Sequence, residues 1–174
     1  MITLKKWPTD SIQPLNDLYL DVDQSFCLVQ LPIPFPTNES IHYLNAIHNE
    51  VVDEKPFLCF GIYEDDTLIG KVEVTRYPNN ESELDIVLRK QYTQKGYATE
   101  ALQQLRHYLQ ERHWCTRIHA FVNENNLPVR RLLEKSYFQP TRKFKADVST
   151  FHDGSYVMKE IIGIEYISTL EETL

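Results

Sequence analysis

The sequence has few of the features that mark a membrane, disulfide-bonded or metal-binding protein. No uninterrupted apolar run approaches the roughly 20 residues of a membrane-spanning helix. The three cysteines, Cys27, Cys59 and Cys115, lie far apart without a C-x-x-C pair, which is typical of reduced thiols in a core. His42 and His48 are six residues apart, a spacing that does not share a helix face. We therefore expect no metal site.

Positive charge is also scarce. The chain has 18 Lys and Arg residues against 25 Asp and Glu residues, which gives a net charge of −7. This balance argues against nucleic-acid binding, because such binding relies on a basic surface. An acidic surface can attract a cationic amine, although it also serves solubility alone. The N-terminus lacks the apolar segment of a signal peptide, so we expect a cytoplasmic protein without a membrane or nucleic-acid partner.

Hydrophobic periodicity predicts an α/β (α+β) fold in a single domain that spans residues 1–174. Helices are predicted near residues 17–28, over 41–52 with Thr37 or Asn38 as the cap, over 96–112, and after the cap residue Asn126. Strands are predicted at 57–64, 68–77, 82–90, 116–123, 144–150 and 156–162, the first two as an antiparallel hairpin. This order predicts one mixed sheet with helices packed on it.

The stretch QKGYATEAL, residues 94–102, is the most informative part of the sequence. Gly96 precedes a helix whose apolar residues recur at helical spacing, for example at Ala101 and Leu105. A glycine at a helix start lets backbone N–H groups approach a phosphate, but the same pattern occurs in a plain loop that enters a helix. Neither G-x-x-x-x-G-K-[ST] nor G-x-G-x-x-G is present, which disfavours an NTPase and a dinucleotide enzyme.

A second stretch, NLPVRRLLEKSYF, follows at residues 126–138, and the strand SELDIVLRK precedes the glycine loop. In this combination the sequence resembles the GNAT acetyltransferases, and within them the branch of ribosomal-protein N-terminal (alanine/serine) acetyltransferases. That family has a [QR]-x-x-G-x-[GA] loop, matched here by residues 93–98, and an Asn-x-x-[SA] helix that closes with Glu-Lys-x-Gly-Phe. The resemblance covers most of the chain. It implies a mixed, mostly antiparallel sheet flanked by helices, with acetyl-CoA held at a splayed strand pair.

The resemblance also implies acetyl-CoA as the cosubstrate and assigns residues to it. The diphosphate is expected on the backbone amides of Gln94, Lys95, Gly96, Tyr97, Ala98 and Thr99. The pantetheine arm is expected in a gap beside residues 116–123, along Val87, Leu88 and Arg89. The N–H of Leu88 is the expected oxyanion donor. Asn126 contacts the cofactor or serves only as a helix cap, and Lys95 adds charge or is a solvated loop lysine.

Four positions depart from the family pattern. Thr93 stands where Gln or Arg is usual, and Val129 stands where a small residue or Ser is common. Leu133 occupies the place of the Tyr that protonates the leaving thiolate in many relatives, so that acid is absent here. Tyr137 replaces the glycine that ends the helix, which predicts a different helix end, since a positive φ is costly for Tyr.

Two acidic residues are candidates for removing the amine proton. Glu83 and Asp85 are two residues apart on one strand, so their side chains share a face. The resemblance places a catalytic or substrate-orienting glutamate near Glu83, while Asp85 contacts the amine or competes for that role. Repulsion between the two raises the pKa of one of them toward the range of a base. Both can instead be exposed acids, which leaves proton removal to solvent or to another group such as His119.

These observations predict an N-acetyltransferase that moves an acetyl group from acetyl-CoA to a primary amine by direct attack in a ternary complex. The amine belongs to a protein N-terminus or to a small molecule. The alternative is an acetyl-CoA-binding sensor or regulatory module without turnover, because the acid at position 133 is absent. Phe35, His42 and Tyr43 line the acceptor pocket or are core or surface residues. The protein is expected to be a monomer or a homodimer.

Overall fold

A mixed sheet forms the centre of the structure, with helices on both of its faces. The computed structural model describes residues 1–170, apart from the side chains of residues 151 and 152; the end of the predicted domain, residues 171–174, lies outside this part. The strands are β1 (Ile2–Lys6), β2 (Val51–Val52), β3 (Lys55–Glu64), β4 (Thr67–Arg76), β5 (Glu81–Leu88), β6 (Arg117–Asn123), β7 (Gln139–His152) and β8 (Ser155–Thr169). The helices are α1 (Gln13–Leu20), α2 (Thr37–Asn49), α3 (Tyr97–Glu111) and α4 (Leu127–Lys135).

The strands of the sheet follow the order β1-β3-β4-β5-β6-β8-β7, and the short β2 pairs with β3 outside this path. Every pair is antiparallel except that of β5 with β6, which is parallel. The predicted fold class, a mixed and mostly antiparallel sheet flanked by helices, is therefore confirmed. None of the described helices combines the length and the apolar character needed to cross a membrane.

Two hydrophobic clusters lie on opposite faces of the sheet. Helix α3 covers one face, and its apolar stripe is buried at Leu102, Leu105 and Leu109. Burial of each such leucine contributes about 1.5–3 kcal/mol. Helices α1 and α2 cover the other face through side chains such as Leu18 and Ile47. Each strand in the middle of the sheet is therefore covered on both sides.

The elements with strong local signals lie close to their predicted positions. The hairpin of β3 and β4 turns at residues 65 and 66, and α3 follows directly after Gly96. Asn126 caps α4 as predicted, because its side-chain oxygen accepts a hydrogen bond from the N–H of Val129 at 3.4 Å.

The first part of the chain differs from the prediction. Strand β1 was not predicted, and α1 begins at Gln13 and ends at Leu20, before most of the predicted range 17–28. Neither Thr37 nor Asn38 caps α2, because the helix already begins at Thr37 and Pro36 occupies the cap position without a side-chain hydrogen bond. The helix ends at Asn49, since Glu50 takes a left-handed conformation with φ 54°.

Two later predictions need correction as well. Strands β7 and β8 are longer than the predicted ranges 144–150 and 156–162, because they pair with each other along almost their whole length. Tyr137 does take the left-handed conformation, with φ 67°, after α4 ends at Lys135. The N–H of Phe138 then donates to the Leu133 carbonyl at 3.0 Å. The prediction of a different helix end is therefore wrong, and the chain bears the cost of a non-glycine residue there.

A network of charged side chains ties β6, β7 and β8 together around Glu165 of β8. The Glu165 carboxylate accepts a hydrogen bond from Arg142 Nε at 2.5 Å and lies 3.0 Å from Nδ1 of His119. The other ring nitrogen of His119 lies 2.9 Å from the Glu81 carboxylate. Burial opposes the charge of Glu165, but the hydrogen bonds from Arg142 and His119 outweigh it and lower its pKa.

Glu165→Gln is expected to destabilise the protein by about 2 kcal/mol at pH 7, because charged hydrogen bonds around a buried group are lost. The lowered pKa means that Glu165 stabilises the fold above its unfolded value of 4.5 and that this contribution disappears as the pH falls through the folded value. Urea unfolding at a series of pH values should therefore show the difference between wild type and Glu165→Gln shrink below pH 4.5.

Glu160→Gln is the matched control on the same strand. Glu160 pairs with Lys145 at 3.1 Å, but both side chains are exposed. Its loss should cost about 0.5 kcal/mol or less, without a comparable pH dependence. Equal effects of the two substitutions would contradict the structural role of the Glu165 network.

Candidate active site

The parallel pairing of β5 with β6 is short. It covers residues 81–83 of β5 and 117–119 of β6 and ends there. Beyond this point β5 continues to Leu88 along β4, while β6 continues to Asn123 along β8. The two strands therefore part in the middle of the sheet and leave a gap between them.

The backbone of β5 offers hydrogen-bond donors to this gap. The N–H of Arg89 donates to Ile69 at 2.8 Å and the N–H of Tyr77 donates to Glu81 at 2.7 Å, and the register between these two bonds is unbroken. Antiparallel strands alternate, so the odd-numbered residues of β5 bond β4 and the even-numbered ones point away from it. Past the last β6 pair, the N–H groups of Ile86 and Leu88 therefore face the gap.

The N–H of Leu88, which the resemblance implies as the oxyanion donor, is one of these two groups, and the N–H of Ile86 is a second one that the sequence analysis missed. Strand alternation alone indicates it, since Ile86 and Leu88 are two residues apart. Val87 turns its side chain to the cluster under α1 and α2. Arg89 donates its side-chain hydrogen bonds to the Leu68 carbonyl at 2.9 Å and to Asp21 at 2.5 Å. The backbone N–H groups of Val87 and Arg89 and the guanidinium of Arg89 are therefore directed away from the gap.

The loop after β5 ends in a helix start with unpaired amides. Gly96 occupies the cap position of α3 with φ 84°, and no side chain caps this helix. The first backbone bond of the helix runs from the N–H of Glu100 to the Gly96 carbonyl at 3.0 Å. No acceptor among residues 1–170 binds the N–H groups of Tyr97, Ala98 and Thr99. This helix start can therefore accept an anion.

Of the remaining predicted cofactor residues, Gln94 and Lys95 lie in this loop and Asn126 lies elsewhere in the chain. Gln94 has a positive φ of 62°, and Lys95 places its ammonium 5.2 Å from the ring centre of Tyr92. Asn126 lies at the start of α4 and caps it. Leu133 of α4 is 1% exposed and is part of the core. Because this residue is a leucine, no phenol is present at that position.

Glu83 and Asp85 share the face of β5 that lies under α1 and α2, opposite the face covered by α3. They differ in their surroundings. Glu83 belongs to the last residue pair with β6, and its carboxylate accepts the Tyr77 hydroxyl at 2.5 Å. This hydrogen bond raises the pKa of Tyr77 to about 12. Asp85 is the first side chain of this face beyond the β6 pairing, and no side chain of the described part hydrogen-bonds it. Its partner is the backbone N–H of Ile86, whose hydrogen bond lowers the pKa of Asp85.

Asp85 is surrounded by protein and yet open to water. Its surface remains accessible to solvent, although the atoms packed around it remove much of its hydration. A side chain is both accessible to solvent and poorly hydrated when water reaches it from one side only. Burial raises the pKa of Asp85, Lys71 lowers it, and Glu73 and Glu83 raise it further. The net effect is a raised pKa.

A cleft of about 500 Å³ lies beside these carboxylates, between α2 and the strands β3 and β4. It has apolar and aromatic walls and several polar groups, and its lining includes Phe35, His42, Tyr43, Phe57, Glu73 and Thr75. The three residues proposed from the sequence for a pocket, Phe35, His42 and Tyr43, therefore all line it. Since Glu73 pairs with Asp85 and Thr75 pairs with Glu83, the cleft adjoins both acids.

A buried ion pair under the cleft was missed by the sequence analysis. The ammonium of Lys71 lies 2.9 Å from the Glu73 carboxylate, and their side chains are 3% and 15% exposed. The Tyr43 hydroxyl donates a hydrogen bond to the same carboxylate. In the sequence, Lys71 and Glu73 alternate with valines, a pattern that is typical of a strand with one solvated face. The pattern alone does not show that α1 and α2 cover this face.

None of the three cysteines has the environment of a nucleophile. Burial raises the pKa of the Cys27 thiol to about 11, and it raises those of Cys59 and Cys115 as well. A thiol with a raised pKa is largely protonated at neutral pH and unreactive.

A family model described as the acetyltransferase (GNAT) domain matches residues 2–139. The chain therefore belongs to the GNAT acetyltransferase family and is an acyltransferase. Acetyl-CoA is the acetyl donor of this family. A comparison with curated protein sequences finds no match.

Solved structures of GNAT proteins share the fold over nearly the whole chain. A ribosomal L7/L12 α-N-protein acetyltransferase in complex with coenzyme A, RimL, has a TM-score of 0.76 at 13% identity, with 99% of this chain and 96% of that chain covered. Spermidine N-acetyltransferase from Vibrio cholerae, in complex with CoA and spermine, gives 0.73 at 17% identity, with coverage of 98% and 96%. A GNAT acetyltransferase from Streptococcus pneumoniae gives 0.73 at 17%, with 98% and 100% covered. At these identities the likeness concerns the fold.

Gly96→Val is expected to abolish acetyl-CoA binding while the protein remains folded. A side chain at Gly96 would meet no protein atom within 4 Å, so it would fill the open space in front of the helix amides. The thermal shift produced by acetyl-CoA measures the effect, since a ligand of the folded state raises the melting temperature.

Gly154→Val is the matched control. Gly154 has a φ of 81° and also has open space around it, but it lies in the turn between β7 and β8. Both substitutions strain a left-handed residue by about 1–2 kcal/mol, so they should lower the melting temperature by similar amounts. Only Gly96→Val should remove the shift. If it keeps the shift, the glycine serves the turn alone.

Proposed function

We propose that the protein is an acetyl-CoA-dependent N-acetyltransferase that acts on a primary amine by direct attack in a ternary complex. The observation that carries this proposal is the parting of β5 and β6 beyond residue 83, with the N–H groups of Ile86 and Leu88 directed into the gap. Backbone donors without strand partners inside a sheet need a ligand or water. The pantetheine arm of acetyl-CoA is a peptide-like chain that fits such donors.

The donor is bound by backbone groups at two places in this proposal. The diphosphate lies on the amides of residues 94–99, where the open space at Gly96 admits it. The arm runs past Ile86, and the N–H of Leu88 stabilises the negative charge that develops on the thioester oxygen. Asn126 borders the site from the start of α4. Such bound groups supply proximity, which accounts for much of the rate of transfer.

The acceptor amine attacks from the cleft beside β4. The C–N bond forms, the C–S bond breaks with its electron pair left on sulfur, and the proton of the amine passes to a carboxylate directly or through water. Asp85 suits this role better than Glu83. It lies beside the gap, has a raised pKa and lacks a side-chain partner, whereas Glu83 is held by Tyr77.

The lining of the cleft favours an amine with an apolar body. Phe35 and Phe57 form apolar walls, and the carboxylates of Asp85 and Glu83 beside the cleft attract a cation before it is deprotonated. A protein N-terminus and a small amine both meet these requirements. The two CoA-bound neighbours are an example of each, since one is an acetyltransferase of a ribosomal protein N-terminus and the other of spermidine.

An acetyl-CoA-binding module without turnover is the second candidate, because Leu133 supplies no acid to the leaving thiolate. Release of free CoA separates the two candidates. The protein with acetyl-CoA should release CoA when N-terminal peptides, polyamines or aminoglycosides are added, and mass spectrometry should find the acetylated amine. Binding of acetyl-CoA without release by any amine would favour the module, and no binding at millimolar acetyl-CoA would contradict both.

Substitution of each acid on this strand face tests which of the two carboxylates is the base. Asp85→Asn should lower kcat by roughly 10²-fold, as expected for loss of a general base, and leave the KM for acetyl-CoA unchanged. Glu83→Gln should lower kcat much less, since the carboxylate is engaged by Tyr77. The reverse order of effects would assign the base to Glu83.

A further inference from the structure

Lys71 is a charged side chain buried in the middle of the sheet. Its side chain is 3% exposed, and its ammonium lies 2.9 Å from Glu73 and donates to the Tyr43 hydroxyl at 3.1 Å. The same ammonium lies 5.4 Å from the ring centre of Tyr19 and 5.2 Å from that of Tyr43. A buried lysine is costly unless it is paired, so this arrangement is specific.

The sheet register places Lys71 under the acids of the cleft. Glu73 pairs directly with Asp85, and Lys71 pairs with Val87, the next residue of that face of β5. Lys71 and Asp85 are therefore diagonal neighbours, which long side chains can bridge. Burial alone would lower the pKa of Lys71, but the Glu73 carboxylate raises it, so the ammonium remains charged.

More negative than positive side chains face Asp85. Lys71 and Glu73 face it from β4 and Glu83 from its own strand. Tyr19 of α1 and Cys27 of the following loop also face it, but burial raises the pKa of both, so they are neutral near pH 7. Lys71 is thus the positive charge that offsets Glu73 and Glu83 at Asp85.

Lys71 also gives Glu73 and Asp85 different roles. Glu73 is held by both Lys71 and Tyr43, whereas Asp85 has no side-chain hydrogen-bond partner in the described part of the chain. The ion pair therefore immobilises Glu73 and leaves Asp85 available to a substrate.

We propose that Lys71 is a positioning residue, whose buried ammonium ties Glu73 away from the acceptor amine and favours the ionised form of the neighbouring Asp85 carboxylate. This inference rests on the proposed function, because it concerns the group that removes the amine proton. Lys71 acts through Asp85 and touches neither substrate. Without the ammonium, three carboxylates would face one another, and Asp85 would retain its proton to a higher pH.

The test begins with the protein free of any substrate. Carbon-13 NMR follows the titration of the Asp85 carboxyl, which Asp85→Asn identifies by loss of its signal. Lys71→Met should shift the midpoint upward by about one pH unit, a usual effect of one close charge. Glu73→Gln should shift it downward, and Lys71→Arg should keep it near the wild-type value. If Lys71 and Glu73 only supported packing, their substitutions would not shift the Asp85 midpoint in opposite directions.

Loss of one member of a buried pair can unfold a protein, so a second variant is needed. The double variant Lys71→Met/Glu73→Gln removes both charges and leaves no unpaired ion. Its midpoint should still lie above that of wild type, because Lys71 acts on Asp85 more strongly than Glu73 does. The rise should be smaller than that caused by Lys71→Met alone.

The kinetic measurement extends the same test to the reaction. The acidic limb of the pH profile of kcat/KM for the amine should follow the NMR midpoints, with the KM for acetyl-CoA unchanged. An unchanged Asp85 titration in all folded Lys71 variants would overturn the inference. Because the titration needs no turnover, absence of transferase activity would contradict the proposed function while leaving the effect of Lys71 on Asp85 measurable.

Discussion

The early end of the β5–β6 ladder is the constraint from which the rest of the site follows. A strand in the middle of a sheet ordinarily satisfies its N–H groups on both sides. Here β4 satisfies one side of β5 along its whole length, while β6 leaves the other side after residue 83. The amides of Ile86 and Leu88 are thus held by one ladder and have no strand partner on the other side, where the amide of Ile86 bonds the Asp85 carboxylate.

In the proposed reaction, strand β5 serves two substrates because alternation separates its backbone N–H groups from its side chains. Past residue 83 the backbone N–H groups of even-numbered residues face the gap, whereas the side chains of odd-numbered residues lie on the sheet face under α1 and α2. The Asp85 carboxylate bonds the backbone N–H of Ile86, so the acid and the gap are adjacent. Reaction partners that approach from the two sides meet at this strand, and a shift of register by one residue would exchange the two sets of groups.

The parts of the fold that the sequence predicts are those with local causes. The hairpin of β3 and β4, the stripe of α3 and the Asn126 cap depend on neighbouring residues and occur where predicted. The burial of Lys71 depends on α1 and α2, which are distant in sequence, and its alternation with valines resembles that of a solvated strand. Tyr137 shows the converse case, since tertiary packing imposes a conformation that its local preference opposes.

The donor and acceptor sides of the site should tolerate sequence change differently. The donor side consists mainly of backbone amides in the gap and at the start of α3, which almost any residue can supply provided that position 96 stays small. The proposed acceptor side is the cleft, whose lining consists of side chains from α2, β3 and β4 and the residues around them, and each substitution there changes shape or charge. Neighbours at 13–17% identity can therefore share the fold that creates the donor site and yet act on different amines. In the proposed enzyme, the identity of the acceptor therefore depends on the cleft and on the charges of Lys71, Glu73 and Asp85.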